Sequence, residues 1–207
     1  MSETLLHKIA AVVSALLQPI FVPLYALLLW WMIVPEQFGR QYCWYCSAIV
    51  LIFSFLLPGA IHLFYYFTGK VSNFFISNRH ERRLIYMISI SCVLLGYILL
   101  EILDFWPISS FMRSSMIALT GVWIINYFWK ISAHMAAWSC LVGCVFVFEF
   151  MTHRSDIEMI EMLVLLTGLL GWSRLEQRAH TLGQVLCGCL LGVAAALTMT
   201  LDYFLGL

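Results

Sequence analysis

The sequence predicts an all-α integral membrane protein, a helical bundle of six or seven transmembrane helices. Two features of its composition indicate this fold class: hydrophobic residues make up 63% of the 207 residues, and charged residues make up only 11%. Water-soluble domains carry roughly 25% charged residues, and a compact monomer this apolar would expose large hydrophobic patches to water. The third feature is the recurrence of apolar runs of about 20 residues, the length that crosses a bilayer as a helix.

Seven apolar runs are separated by short polar segments. They cover approximately residues 9–34, 42–67, 84–103, 108–129, 135–151, 157–172 and 181–205. The fifth and sixth runs are the least hydrophobic, so a count of six spans also fits the sequence. Pro19 and Pro23 predict a kink in the first run, and Pro107 marks the break between the third and fourth runs. Ser155 and Glu158 have the spacing of a capping box that would open the sixth helix.

We expect one membrane-embedded domain over residues 1–207, with two N-terminal spans in residues 1–67 and a core in residues 68–207. The net charge of zero gives no basic field for nucleic acid, which excludes nucleic-acid partners from the prediction. The seven cysteines are scattered without zinc-site spacing, so we expect them to pack as small apolar side chains. The first apolar run lacks a clear cleavage site and is predicted to be a retained membrane helix.

Positive charge is unevenly distributed between the two membrane faces that alternating spans define. We call the side of the N-terminus face A and the opposite side face B. Of the 11 lysines and arginines, most fall on face A, which the positive-inside rule assigns to the cytoplasm. Several of these cations are also candidates for function and inflate the count, so the sequence leaves the side of the site open.

Three polar segments fall on face A, at residues 78–83, 130–134 and 173–184. Because two spans separate each segment from the next, helical hairpins would return all three to one membrane surface. Their cations and histidines are Arg79, Arg82, Arg83, Lys130, Arg174, His134 and His180. Guanidinium groups bind phosphate through paired hydrogen bonds, and Ser132 is placed to cap a helix whose N-terminus attracts anions. Two histidines beside a phosphate allow one to attack phosphorus and the other to protonate the leaving oxygen.

Simpler interpretations of these segments stay open at this point. Residues 78–83 match an ordinary basic flank that contacts anionic lipid headgroups. Ser173 and Glu176 have capping-box spacing, so the third segment would then only open a helix.

His180 and Gln184 are four residues apart, which on a helix places them on one face and lets Gln184 orient the imidazole.

The three segments resemble the tripartite signature of the type 2 phosphatidic acid phosphatase superfamily, which shares a helical core with vanadium haloperoxidases. Its third motif, S-R-x5-H-x3-D, is matched by Ser173, Arg174 and His180, with Gln184 in place of the aspartate. The second motif, P-S-G-H, is represented by "ISAH", which keeps the serine and the histidine. The first motif, K-x6-R-P, is represented only by the arginines of "NRHERR", without the lysine or the proline. The resemblance covers approximately residues 78–188.

The resemblance implies a membrane hydrolase that removes phosphate from a lipid phosphate or lipid pyrophosphate through a phosphohistidine, without cofactor or metal. His180 would be the nucleophile, His134 the general acid, and Gln184 the residue that orients His180. The phosphate would be held by Arg174, Ser132, Ser173, Arg79, Arg82, Arg83 and Lys130. The partners implied are a phosphorylated membrane lipid and the bilayer, and we expect a bacterial inner (plasma) membrane location. The sequence does not predict an oligomeric state.

Two departures from the family pattern define an alternative function. Gln184 supplies no negative charge to the histidine, and Lys130 or Arg79 would have to replace the absent lysine. If neither does, the chain would bind or transport phosphorylated lipids without hydrolysing them. A small transporter that uses Glu101 and Glu149 is a third hypothesis, which the sequence supports less because both residues lie near span ends.

Overall fold

The structure is a computed structural model that describes residues 5–33, 39–71, 79–154 and 156–205, with the backbone alone described at 79–82, 202, 203 and 205. Every regular element in these ranges is helical, which confirms the all-α prediction. The α-helices are α1 (Leu5–Leu16), α2 (Val22–Ile33), α3 (Arg40–Leu51), α4 (Leu57–Phe67), α5 (Arg79–Ile102), α6 (Ile108–Ile125), α7 (Ala133–Met151), α8 (Ile157–Glu176), α9 (Leu182–Ala196) and α10 (Thr200–Leu205).

Six stretches of the described residues are long and apolar enough to cross a membrane. They are Leu5–Ile33, Arg40–Phe67, Arg83–Ile102, Ile108–Ile125, Ala133–Met151 and Leu182–Met199. The protein is therefore a membrane-embedded helical bundle. Helix α8 is also 20 residues long but carries Glu158, Glu161, Arg174 and Glu176, so it falls outside the six. The residue before α8 contacts Glu149 at one end of the bundle, and its last turn contacts Ser14 near the other, so α8 runs alongside the six stretches.

The prolines interrupt the first two spans as their chemistry requires. Helix α1 ends at Leu16, a 3-10 turn follows at Pro19–Phe21, and α2 begins at Val22, so the helix is interrupted at the prolines for which a kink is predicted. In the second span, α3 passes through a π-helical turn at Ile52–Leu56 into α4, just before Pro58. Proline lacks the N–H that would continue the helical ladder, and a π turn is one way to accommodate that loss.

Helices α7 and α9 are parallel and make the most extensive contact between two helices in the described part of the chain. Two glycines of α9 permit their close approach. A Cβ at Gly188 would lie 2.6 Å from the Ser132 carbonyl oxygen, and one at Gly192 would lie 2.3 Å from the Ala136 carbonyl oxygen. Small residues one turn apart let helix backbones pack closely in membranes. This crossing places the N-termini of α7 and α9 side by side on face A.

The face B end of the bundle is held by a polar cluster around Arg154. Its guanidinium donates to the Ile33 carbonyl at 2.8 Å and to Asp156 Oδ2 at 3.3 Å, and its Nε lies 3.9 Å from the buried carboxylate of Glu149. The other Glu149 oxygen accepts from the Asp156 N–H at 3.1 Å. The cluster ties the ends of α2 and α7 to the start of α8. Asp156 is the residue that precedes α8, while Ser155, predicted to cap it, lies outside the described residues.

Candidate functional site

The third polar segment, residues 173–184, forms the end of α8, a short connection and the start of α9. Helix α8 continues through Glu176, so the interpretation that Ser173 and Glu176 open a helix is wrong. The reason is that Arg178 adopts a left-handed φ of 50°, and the Ala179 N–H turns back to the Arg174 carbonyl at 3.1 Å, which closes α8. The capping box lies later, where Thr181 precedes α9 and Gln184 is the third helical residue.

Gln184 connects this capping box to His180. Its Oε1 accepts from the Thr181 backbone N–H at 3.2 Å and lies 3.1 Å from His180 Nδ1. A backbone N–H can only donate, so the atom of Gln184 between these two groups must be its carbonyl oxygen. His180 Nδ1 therefore carries the hydrogen, and in the neutral ring Nε2 keeps its lone pair. The glutamine thus presents to the histidine the same kind of acceptor that an aspartate would, without the charge.

The electrostatic surroundings of His180 hold it in the neutral form. Its pKa is lowered to about 4, chiefly by burial. The Gln184 hydrogen bond opposes this shift, and the positive charges of Arg174 and Lys130 add smaller contributions in the lowering direction. The backbone carbonyl of Lys130 also interacts with the ring and raises the pKa, more weakly than Gln184 does. A neutral imidazole with a lone pair on Nε2 is the form that can act as a nucleophile.

The second polar segment, residues 130–134, is joined to the third by backbone contacts. Lys130 Nζ donates to the Ala179 carbonyl at 3.0 Å, beside His180. The Ser132 N–H donates to the Gln184 carbonyl at 3.2 Å. These contacts bring the connection before α7 against the start of α9, so the co-location of these two segments, expected from the sequence, is found in the structure.

Ser132 caps α7, as its position in the sequence predicts. It is fully buried, and its Oγ accepts from the Met135 N–H at 3.4 Å. His134, the second residue of α7, is half-buried in the same first turn. The N-termini of α7 and α9 meet here, and each contributes partial positive charge at its first turn. Two helix ends with this polarity, together with the cationic side chains, form an arrangement that favours an anionic ligand.

Arg174 reaches this site from the last turn of α8 and is in contact with α1. Its Nη1 donates to Ser14 Oγ at 2.5 Å. Three residues later, Gln177 Nε2 donates to the Ala10 carbonyl at 2.7 Å. The adjacent Ser173 is fully buried, and its hydroxyl donates to the Leu170 carbonyl at 2.8 Å. Its hydrogen bond is therefore made to the backbone of the helix in which it lies. Its predicted role as a phosphate ligand stays a prediction.

The first polar segment approaches the same end of the bundle. The Arg83 guanidinium lies over the ring of Tyr127, 4.1 Å from its centroid, and Tyr127 stands three residues before Lys130. A cation over an aromatic face is a favourable contact. The side chains of Arg79 and Arg82 lie outside what the structure describes, so their predicted contribution to the site is a prediction still.

Apolar side chains surround the site at the same level of the bundle. Phe128 is 85% exposed and Leu182 is 59% exposed. Trp129 covers Gly183, where a Cβ would lie 3.7 Å from the indole ring. Exposed apolar residues next to a polar site in a membrane protein face lipid, and tryptophan is enriched at the interface between lipid and water. The polar site is thus bordered by a lipid-facing surface.

No protein-family model, curated protein or solved structure matches this chain. The description of the site therefore rests on the structure of this chain.

The fold brings together Lys130, Ser132, Arg174, His180 and Gln184, with His134 in the same helical turn as Ser132. Three residues that contact the site were not predicted from the sequence: Ser14, Gln177 and Thr181. Thr181 and Gln184 carry a readable T-x-x-Q capping signal, whereas Ser14 shows only as a lone polar residue in the first apolar run.

Proposed function

We propose that this chain is an integral membrane phosphatase that hydrolyses a lipid phosphate or lipid pyrophosphate through a phosphohistidine on His180. The observation that carries the proposal is the neutral His180, held by Gln184 at Nδ1, with the cations of Arg174 and Lys130 close enough to lower its pKa. A nucleophile and its phosphate-binding cations thus share one site.

The first step transfers phosphate to the protein. Nε2 of His180 attacks phosphorus and forms an N–P bond, while the P–O bond to the lipid breaks and the departing oxygen takes a proton from His134. Arg174, Lys130 and the N-terminus of α7 stabilise the charge that develops on the phosphate oxygens. The second step reverses the proton movement, because His134 then takes a proton from water as the water oxygen attacks phosphorus. The N–P bond breaks, and inorganic phosphate leaves.

The lipid nature of the substrate is inferred from the surroundings of the site. The cationic cluster lies at the ends of membrane-spanning helices, and Phe128 and Leu182 beside it are exposed on the lipid-facing surface. A phosphorylated headgroup at the interface would reach the cluster while its acyl or polyprenyl chains stay in the bilayer. We also propose a bacterial inner membrane location, with the side of the site left open.

A second candidate function, the binding or transport of phosphorylated lipids without hydrolysis, is favoured by one observation. Among the described residues, both charged groups that act on the pKa of His180 are cations, and Gln184 contributes no negative charge. In enzymes whose histidine is paired with an aspartate, the carboxylate stabilises the charged imidazole. His180 would become an imidazolium or a phosphohistidine without such a carboxylate. In a serine-protease triad, loss of that charge together with the correct tautomer costs about 10⁴ in rate.

Phosphate release by the purified protein in detergent separates the two functions. The substrates would be a panel of lipid phosphates and pyrophosphates, and the variants His180→Ala and His134→Ala. The proposed phosphatase predicts release by wild type and loss in both variants. Release that survives both substitutions would overturn the assigned mechanism, and saturable binding of a phosphorylated lipid without release would support the second function.

A further inference from the structure

We propose that Ser14 of α1 is a positioning residue for the phosphate site, holding the guanidinium of Arg174 in the orientation in which it meets phosphate. The inference rests on the proposed function and extends the site beyond the three motifs, into the N-terminal helix. It also implies that the site is incomplete without α1.

The contact between α1 and α8 is built from two hydrogen bonds one helical turn apart. Ser14 Oγ accepts from Arg174 Nη1, and the Ala10 carbonyl accepts from Gln177 Nε2. Ser14 is 6% exposed and Ala10 is fully buried, so both bonds lie within the packed interface. On α1 the two positions share one face, and on α8 the arginine and glutamine occupy the final turn and the residue that follows it. The pair therefore fixes how the end of α8 faces α1.

An arginine side chain has much rotational freedom, which it must lose to grip a ligand. A guanidinium carries its five N–H donors in one plane and binds phosphate through two parallel hydrogen bonds, so the direction of that plane matters for binding. The bond from Nη1 to Ser14 restrains that direction. Arg174 is also near enough to His180 to lower its pKa. The same bond therefore sets where positive charge stands relative to the proposed nucleophile.

The packing alternative is that Ser14 is simply a small residue where α1 meets α8. The two explanations differ in what the hydroxyl does. If only volume matters, a substitution that keeps size but removes the strong acceptor has no effect on phosphate binding. If the hydroxyl positions Arg174, that substitution weakens phosphate binding while the fold is kept.

The test uses Ser14→Cys, which keeps the volume but has only a weak acceptor, and Ser14→Thr, which keeps the hydroxyl. The matched control is Ser47→Cys, since Ser47 is also buried and accepts from an indole, Trp31 Nε1, at 2.9 Å. Affinity for orthovanadate and for inorganic phosphate would be measured from the rise in the Tm of the purified full chain in detergent, beside kcat and KM for phosphate release.

We expect Ser14→Cys to weaken vanadate affinity about tenfold, the size expected for a hydrogen bond to a charged group, with Ser14→Thr and Ser47→Cys within about twofold of wild type. In an Arg174→Lys background, Ser14→Cys should add little. Equal affinities for wild type and Ser14→Cys, or equal losses for Ser14→Cys and Ser14→Thr, would overturn the inference alone. Failure of wild type to bind phosphate or vanadate would overturn both the inference and the proposed function. Binding without release would overturn only the catalytic proposal.

Discussion

The crossing of α7 and α9 makes a specific prediction about Gly192. An alanine at this position would place its Cβ 2.3 Å from the Ala136 carbonyl oxygen and 2.7 Å from the Cys140 backbone nitrogen. Ordinary van der Waals contact begins at 3.4 Å, so α7 would have to move away by about 1 Å. Because the clashing atoms belong to the backbone of α7, no side-chain rotation can relieve the contact.

The expected size of the effect follows from two opposing terms. Overpacking of a well-packed interior costs typically about 1–3 kcal/mol. Alanine gains up to about 1 kcal/mol over glycine within a helix, which offsets part of that cost. We therefore expect Gly192→Ala to lower the free energy of unfolding by about 1–2 kcal/mol. Gly168 of α8 is the matched control, since a Cβ there would meet nothing within 4 Å, and Gly168→Ala should be neutral or stabilising.

The measurement is reversible unfolding of the detergent-solubilised protein with increasing sodium dodecyl sulfate, followed by far-ultraviolet circular dichroism. Gly192→Ala should unfold at a lower mole fraction of dodecyl sulfate than wild type, and Gly168→Ala should not. Equal midpoints for wild type and Gly192→Ala would refute the close packing of α7 on α9. Equal losses in both variants would show that the cost comes from the loss of glycine itself.

Three further predictions concern the site and the opposite end of the bundle. Because the pKa of His180 is lowered to about 4, its imidazole should stay neutral well below the ordinary value of 6.5, and a nuclear magnetic resonance titration of the ring should have its midpoint near 4. A midpoint near 6.5 would contradict the buried site. Gln184→Leu removes the acceptor that fixes the tautomer of His180 and should lower kcat by about 10²–10⁴. Gln184→Glu keeps the side-chain length and the acceptor, so its kcat should stay within about tenfold of wild type. Equal effects of the two substitutions would exclude the tautomer argument. Arg154→Met leaves the Glu149 carboxylate without its ion pair and should lower the free energy of unfolding by about 2 kcal/mol, less than for a fully buried pair because Arg154 is 28% exposed. Adding Glu149→Gln to the same chain should restore much of this loss. Purely additive losses in the double variant would contradict the coupling between the two residues.

The fold class followed from the sequence because lipid imposes a simple rule: each span must be apolar and helical over a bilayer thickness. Pro19 and Pro23 marked the interruption for an equally local reason. The helix ends were harder to predict, since hydropathy does not register a residue such as Arg178, whose left-handed backbone ends α8. Helix α8 was ambiguous for a different reason: its acidic first turn and Arg174 lower its average hydropathy, while its length still matches a span.

The site was predictable as far as its segments could be assigned to one face. Alternation of spans placed Lys130, His134, Arg174 and His180 together, and the contacts of Lys130 and Ser132 with residues 179 and 184 agree with that placement. The part played by α1 was not predictable, because a serine in an apolar run gives no periodic signal. The orientation of the Gln184 amide also depends on a backbone N–H at Thr181, which is a property of the folded turn.

The phosphohistidine itself provides the most direct test of the central claim. Purified wild type would be mixed with a phosphorylated lipid substrate, quenched at alkaline pH on the millisecond scale, digested and sequenced by mass spectrometry, with the two phosphohistidine isomers separated. Since Nδ1 of His180 donates to Gln184, phosphate should appear on Nε2 of His180 and be absent from His180→Ala. Phosphate on Nδ1, phosphate on His134, or turnover without any phosphate on His180 would contradict the account.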